Sequence, residues 1–367
     1  MFGGTANTFA SRPTGLFGSG ATTAAATTAT TSAQVLGPDD VVVDGAPDDT
    51  VQALKFSPSQ SQALLAAGAW DGCARVWSID GQGKATGQAE QKLNAPILSL
   101  CWTGDGTRVF LACADNEVAV CGSHQAPVST CHWIETPQYS CLMTGSWDKT
   151  LRFWDMRQLP TQSSLCNPIQ LPERVYSADC MFPMVVVALA NRHFKVYKMD
   201  NGPTEVKDIE SQLKMQSRCV SIFKSPTGMP AGFAVGSIEG RVGIQYVETA
   251  NPKDNFTFKC HRSPDLVAGY QEIYAVNDIA FHPTYNTLAT IGSDGRYSLW
   301  DKDARTKLKT SEVHGMPLTK LDIHSSGSLL AYAAGYDWSK GHEGNTQPSG
   351  SKIVLHRCSE DMKPKKK

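Results

Sequence analysis

The chain has 367 residues, 41% hydrophobic and 19% charged, with 31 glycines, 20 prolines and a formal net charge of −1. This composition excludes a chain that is disordered throughout, and it removes any global field drawing the protein to nucleic acid or an anionic membrane, so an RNA contact must be a local patch. The longest apolar run, Met181 to Ala190, has ten residues and contains Pro183, which is too short to span a bilayer and reads as a buried strand.

Residues 1–38 are rich in Thr, Ala, Ser and Gly and almost free of charge. They hold too little apolar surface to offset the entropy of ordering, and the arm is expected to be disordered. It carries Phe2-Gly3 and Phe17-Gly18, dipeptides of the kind that fill nuclear-pore proteins. A Ser/Thr/Ala-rich arm with Arg12 and no acid before Asp39 also fits an organellar transit peptide, and a plain flexible tail needs neither reading. The basic start and apolar core of a secretory signal are missing, and the 11 cysteines occur singly with no C-x-x-C pair, as expected of a reduced intracellular protein.

From residue 51 a hydrophobic segment followed by a turn recurs at Leu54-Lys-Phe-Ser-Pro58, Leu100-Cys-Trp-Thr-Gly104, Cys131-His-Trp-Ile-Glu135, Ala178-Asp-Cys-Met-Phe182, Ser221-Ile-Phe-Lys-Ser225, Ile279-Ala-Phe-His-Pro283 and Leu321-Asp-Ile-His-Ser325. Successive anchors are 46, 31, 47, 43, 58 and 42 residues apart. In three of the units an acid precedes a tryptophan by six positions, at Asp71 and Trp77, Asp148 and Trp154, and Asp294 and Trp300. A small-residue strand, a tight polar turn and a strand ending in a large aromatic make up one blade of a β-propeller, and seven anchors predict an all-β, seven-bladed WD-repeat propeller.

Two intervals depart from the usual ~40 to 45 residues of a blade. The longest contains Asn251 to Gln271, a polar stretch that predicts a long loop or an added edge segment. In the shortest, Asp115 is followed six residues later by Cys121 in place of an aromatic, and nine residues then separate Cys121 from the next anchor. Blade two is therefore expected to be truncated, either to three strands or by a deletion. After the seventh anchor only two further strands can be placed, and pairing Val41-Val-Val43 with Lys352-Ile-Val-Leu-His356 would complete blade seven and remove both sheet edges. The organisation expected is an arm over 1–38, a propeller over 39–359 and a basic tail over 360–367.

Enzyme chemistry finds little support. Lys149-Thr150 after Gly145 imitates the end of a phosphate loop but lacks the earlier glycine, and no H-E-x-x-H or G-x-S-x-G occurs. Cys260-His261 and His282 read as loop and core residues rather than metal ligands, and no cofactor is implied. Asp71, Asp148, Glu239 and Asp294 repeat at one place in successive blades, where a carboxylate accepts turn amides, so a structural role is expected. Trp77, Trp154 and Trp300 are expected to fill the gaps between blades.

The residue before each turn acid opens onto one face of the disc. Trp70 and Trp147 occupy that place in two blades, and tryptophan beyond what turn chemistry needs marks a docking face; Arg241, two residues after Glu239, can fork a carboxylate there. A plain capping cluster is the alternative. In Trp300-Asp-Lys302-Asp-Ala-Arg305-Thr-Lys307-Leu-Lys309 cations alternate along a strand or hairpin, which suits phosphate contact, with Phe256 and Phe258 as stacking faces if they fold nearby. The other reading is an edge strand guarded by lysine. Lys363-Pro-Lys-Lys-Lys367 is compatible with nuclear import or with nothing specific.

The runs Thr144 to Thr150, Gly236 to Arg241, Asp254 to Arg262, Gly292 to Arg296, Trp300 to Thr310 and Tyr336 to His342 closely resemble the metazoan mRNA export factors of the WD-repeat family, and the likeness covers the chain from about residue 39. A related kinetochore checkpoint adaptor shares part of the pattern without the basic Trp300 to Thr310 run. The resemblance implies a non-enzymatic propeller that binds the acidic GLEBS hairpin of an FG-repeat nucleoporin, contacts RNA or messenger ribonucleoprotein, and acts with checkpoint or spindle proteins in mitosis. It implies residence in the nucleus and at the nuclear pore, shuttling to the cytoplasm, and no cofactor or metal. Carried over by motif, Trp70, Trp147 and Arg241 grip the hairpin, while Phe258, Trp300, Lys302, Arg305 and Lys307 line an edge groove used by RNA and by viral mimics of it. The departure is blade two, where the family carries an aromatic at Cys121 and an outer strand after it.

Overall fold

Each of the seven anchors lies in the innermost strand of a four-stranded antiparallel sheet. The computed structural model describes residues 36–37, 39–59, 61–118, 122–157, 164–345, 350–358 and 360–365. The expectations for the arm fall on residues 1–35 and 38, outside the described residues. The inner strands of consecutive blades pack side by side, and that of blade one packs on that of blade seven, so the ring is closed as the repeat spacing predicts. No helix among the described residues is long and apolar enough to cross a membrane.

The recurring glycine before the turn has a steric reason. A Cβ on Gly68 would lie 2.4 Å from Cγ2 of Ile97, the first residue of the next inner strand, so only glycine lets the two blades close up here. The tryptophans behave as expected of blade wedges. Trp77 is buried among Ala331, Ile353 and Leu355 of blade seven, and Trp154 among Cys101 and Phe110 of blade two. Around the axis, inner-strand side chains staple each blade to the next: Asp179 accepts the Ile222 amide at 2.7 Å, and Asp322 accepts the Phe56 amide at 2.8 Å while pairing with Lys55 at 2.9 Å.

Blade two is shortened but keeps its fourth strand, which corrects the three-strand reading. Its third and fourth strands shrink to Glu117–Val118 and Gly122–Ser123. Cys121 itself lies outside the described residues. The short strand crosses directly over Trp154 of blade three, and Gly122, at φ 152°, has no room for a Cβ, which would sit 2.5 Å from the indole. With only Ala112 paired to Val118, the strand Val109–Cys113 has one partner along most of its length. Its outward amides are expected to exchange with deuterium faster than those of Ser140–Ser146, paired on both sides. Equal protection of the two strands would contradict this account of blade two.

The long interval resolves into ordinary and additional structure. Phe256–Lys259 is the outer strand of blade five, and Arg262–Val267 with Tyr270–Ile273 forms an extra hairpin ahead of blade six. The ring closes as expected: Asp40–Val42 pairs with Lys352–Arg357, with Asp40 opposite His356. Packing also continues past residue 359, since Met362 is fully buried between blades six and seven.

Candidate docking face and edge groove

The turn acids are held, not free. In blade three the Asp148 carboxylate is 2.9 Å from Nδ1 of His124, whose Nε2 is 2.7 Å from Thr144 Oγ1, which in turn accepts the Trp154 indole N–H at 2.9 Å. Blade six repeats the chain through Asp294, His261, Thr290 and Trp300, at 2.9, 2.9 and 3.1 Å. Burial depresses the His124 pKa despite the neighbouring Asp148, which suits a neutral ring donating from Nδ1. The expected structural role of these acids holds, and the two histidines complete it. No group of three or more His, Cys, Asp or Glu side chains among the described residues is placed to hold a metal ion.

In every blade the amide that enters the turn bonds the carbonyl just before an inner strand, as in Trp70 to Thr50, Trp147 to Pro127 and Ile238 to Gln216. These turns and the connections between blades therefore share one face. Eight of the twelve large hydrophobic side chains exposed among the described residues belong to it: Trp147, Met215, Ile238, Val313 and, on the extra hairpin, Leu266, Val267, Tyr270 and Ile273. Tyr270 is 79% exposed. An apolar surface concentrated on one side of the ring is the pattern expected of an interaction site.

The predicted docking residues lie on this face. Trp147 is exposed, and Trp70 is half-buried with its ring 5.4 Å from Trp338, which also packs on Tyr336. Arg241 is one-third exposed and lies 3.7 Å from Glu239, whose other oxygen accepts the Lys214 amide at 3.1 Å. The hairpin and the Trp338 platform were not singled out from sequence for this face; a 58-residue interval and an aromatic pair inside a glycine-rich loop were their only signals.

The edge groove lies between blades five and six, on the perimeter. Phe258 and Trp300 meet at 4.7 Å, Arg305 stands over Phe256 at 4.3 Å, and Lys307 lies 5.9 Å from the Trp300 ring. Arg305 and Lys307 are exposed, and Arg305 also donates to the Lys253 carbonyl at 2.7 Å. Lys302 departs from the expected alternation. The run folds as a hairpin whose turn carries residues 302–305, and Lys302 points inward, 5% exposed, 4.8 Å from the Phe223 ring and paired with Asp303 at 2.6 Å. Lys309 is likewise engaged, with Asp361 at 2.5 Å. The structure thus brings together Phe258, Trp300, Arg305 and Lys307 and leaves Lys302 beneath them as support.

A family model described as "WD domain, G-beta repeat" matches residues 41–78, 115–155 and 255–301. The chain is 63% identical over 350 residues to the protein named mRNA export factor rae-1 of Caenorhabditis elegans, covering 92% of this chain and 93% of that protein. The chain belongs to the WD-repeat mRNA export factor family. Other members include Protein Rae1 of Drosophila melanogaster, 49% identical over 89% of this chain and 96% of its own length, and the mRNA export factor of Bos taurus, 47% identical over 96% and 97%. Among solved structures, the WD40 repeats of RRP9 superpose with a TM-score of 0.70 at 14% identity, covering 88% of this chain and 99% of that one, and therefore speak to the fold alone. Two of the segments matched by the WD-repeat model, residues 115–155 and 255–301, carry the two histidine-bearing turns.

Proposed function

We propose that this chain is a non-enzymatic adaptor in mRNA export, which docks the GLEBS hairpin of an FG-repeat nucleoporin on its turn face and contacts RNA through the groove between blades five and six. The observation that carries the reading is the likeness to proteins named mRNA export factor across about nine-tenths of the chain, joined to a face that gathers most of the exposed apolar side chains. Arg241 supplies the cation that an acidic hairpin meets, and Trp70, Trp147 and Trp338 supply rigid apolar area around it. Residence at the nuclear pore and a role in the mitotic spindle belong to the same proposal.

In the groove, half-buried Phe258 and Trp300 offer ring faces to unstacked bases, and exposed Arg305 and Lys307 reach phosphates. Arg305→Glu with Lys307→Glu is expected to weaken single-stranded RNA binding and to flatten its salt dependence by about 0.7 slope units per lost phosphate contact. Anisotropy titrations of a labelled oligonucleotide at several salt concentrations check this, and an unchanged slope with the protein still folded would remove the groove from the account. Lys302→Glu is not an equivalent variant. It would bury a carboxylate against Phe223 and beside Asp303, so its effect should appear in stability.

A further inference from the structure

The lysines at the C-terminus follow a segment that the fold holds in place. Cys358 is 3% exposed and Met362 is fully buried among Ala280, Leu330 and Val354. The Thr287 hydroxyl donates to the Met362 carbonyl at 2.7 Å, and a turn closes with the Lys363 amide donating to Glu360 at 3.1 Å. Asp361 is clamped between Lys309 of the outer strand of blade six, at 2.5 Å, and His356, at 3.1 Å. A tail serving only as a flexible charged end would not need this anchorage.

The anchor decides where the cations emerge. Lys309 follows Lys307 by two positions in the strand Thr306–Thr310, so Asp361 is pinned within about 7 Å of strand length from the groove's exposed lysine. Lys307 lies opposite Trp300 on the side of blade six that faces blade five, while Lys309 lies opposite Leu299 on the side that faces blade seven. The tail and the groove therefore flank one outer edge. Beyond Met362 the sequence holds Lys363, Lys365, Lys366 and Lys367 and no acid, and both Lys363 and Lys365 are exposed. Lys363 pairs with Glu360 at 3.0 Å, but with both side chains open to water that pair contributes little and a phosphate can replace it.

We infer that the anchored C-terminal segment presents Lys363 and Lys365 as a second phosphate-binding strip beside the groove, so that a single-stranded RNA bound on Phe258 and Trp300 continues over the outer edge of blade six onto the tail. The inference rests on the groove reading given above. Asp361 is spent on Lys309 and His356 and so does not oppose the approach of phosphates, while the buried Met362 fixes the distance between the strip and the groove.

The test uses the full chain and a labelled 15-nucleotide oligouridine, titrated across a range of salt concentrations. Lys363→Ala with Lys365→Ala should reduce the salt slope by about 1.4 units, for two single-strand phosphate contacts. Met362→Ser keeps every charge but releases the anchor, and should lose a similar slope while the propeller stays folded by thermal melt. An unchanged slope in the lysine variant, when Arg305→Glu with Lys307→Glu does weaken binding, overturns the strip and leaves the groove intact. Unchanged binding in the groove variant overturns the groove reading itself. A slope lost in the lysine variant and kept in Met362→Ser overturns positioning by the fold. Binding of a polyglutamate probe that depends on Lys363 and Lys365, with no RNA bound there, would assign the strip to an acidic protein and overturn the inference.

Discussion

Removal of residues 1–46 is expected to lower the unfolding midpoint sharply and to promote aggregation, whereas removal of residues 1–38 keeps the closing strand, costs it the Gly37 contacts to Asp40, and should lower the midpoint slightly without promoting aggregation. Asp40–Val42 is the fourth strand of blade seven, and without it Lys352–Arg357 becomes an open edge. Val43 leaves the core, and the Trp77 indole loses the Asp44 carbonyl that it bonds at 2.9 Å. The larger loss is electrostatic. The Asp40 carboxylate is buried 2.7 Å from His356 Nδ1 and 3.2 Å from the Tyr332 hydroxyl, which also lies 2.7 Å from His314. Taking one partner from such a buried pair costs about 3 to 5 kcal/mol.

The closure should also depend on pH. Burial opposes ionisation of Asp40, but the His314 and His356 imidazoles and the Gly37 amide outweigh it and hold the carboxyl well below its usual range. Burial likewise disfavours protonated His356, and hydrogen bonds to Asp40 and Asp361 outweigh it and raise its pKa. The raised histidine contributes fully below its unfolded pKa and less as pH climbs through the folded value; the depressed carboxyl contributes above its unfolded pKa and less as pH falls through the folded one. The stability difference between the two truncations should therefore be largest between about pH 4 and 6.5 and narrow above it. Thermal scans of both proteins across pH check this, and equal midpoints throughout would remove the closing strand from the account.

Arg241→Glu is expected to abolish binding of an acidic GLEBS hairpin while leaving the fold unchanged. The side chain is one-third exposed and its only carboxylate neighbour among the described residues is Glu239 at 3.7 Å, a loose pair whose loss costs the fold little. In the proposed docking the same guanidinium is desolvated against the hairpin, where truncating one partner commonly costs about 2 to 5 kcal/mol, roughly a 30-fold to several-thousand-fold loss of affinity. Calorimetric titration reads the change directly. Unaltered affinity in a protein that melts at the wild-type temperature would place the hairpin elsewhere.

The propeller was legible because it is a repeat. A glycine that must admit the next inner strand, an acid that must hold a turn and a tryptophan that must wedge two blades recur with the period of the fold, so Gly68, Asp148 and Trp154 announce it together. Closure was legible by counting strands. Features that arise between repeats were not. The pairing of His124 with Asp148 and of His261 with Asp294 joins residues 24 and 33 positions apart through a loop of no fixed length. The inward turn of Lys302 follows from where a hairpin reverses, since alternation along a strand predicts exposure until the strand ends. The docked C-terminus was hidden because a single Met362 carries its burial, inside a segment whose lysines read as tail.

The proposed docking puts the nucleoporin hairpin on the turn face, and not on the groove or the opposite face. Hydrogen–deuterium exchange of the full chain with and without a synthetic GLEBS hairpin tests it most directly. The predicted result is slowed exchange at residues 70–73, 147–150, 238–241 and 262–273, with amides at 223–229 and 302–307 unchanged. Protection confined to the groove or to turns such as Ser225 to Met229 on the opposite face, with none at Arg241 or the extra hairpin, would contradict it.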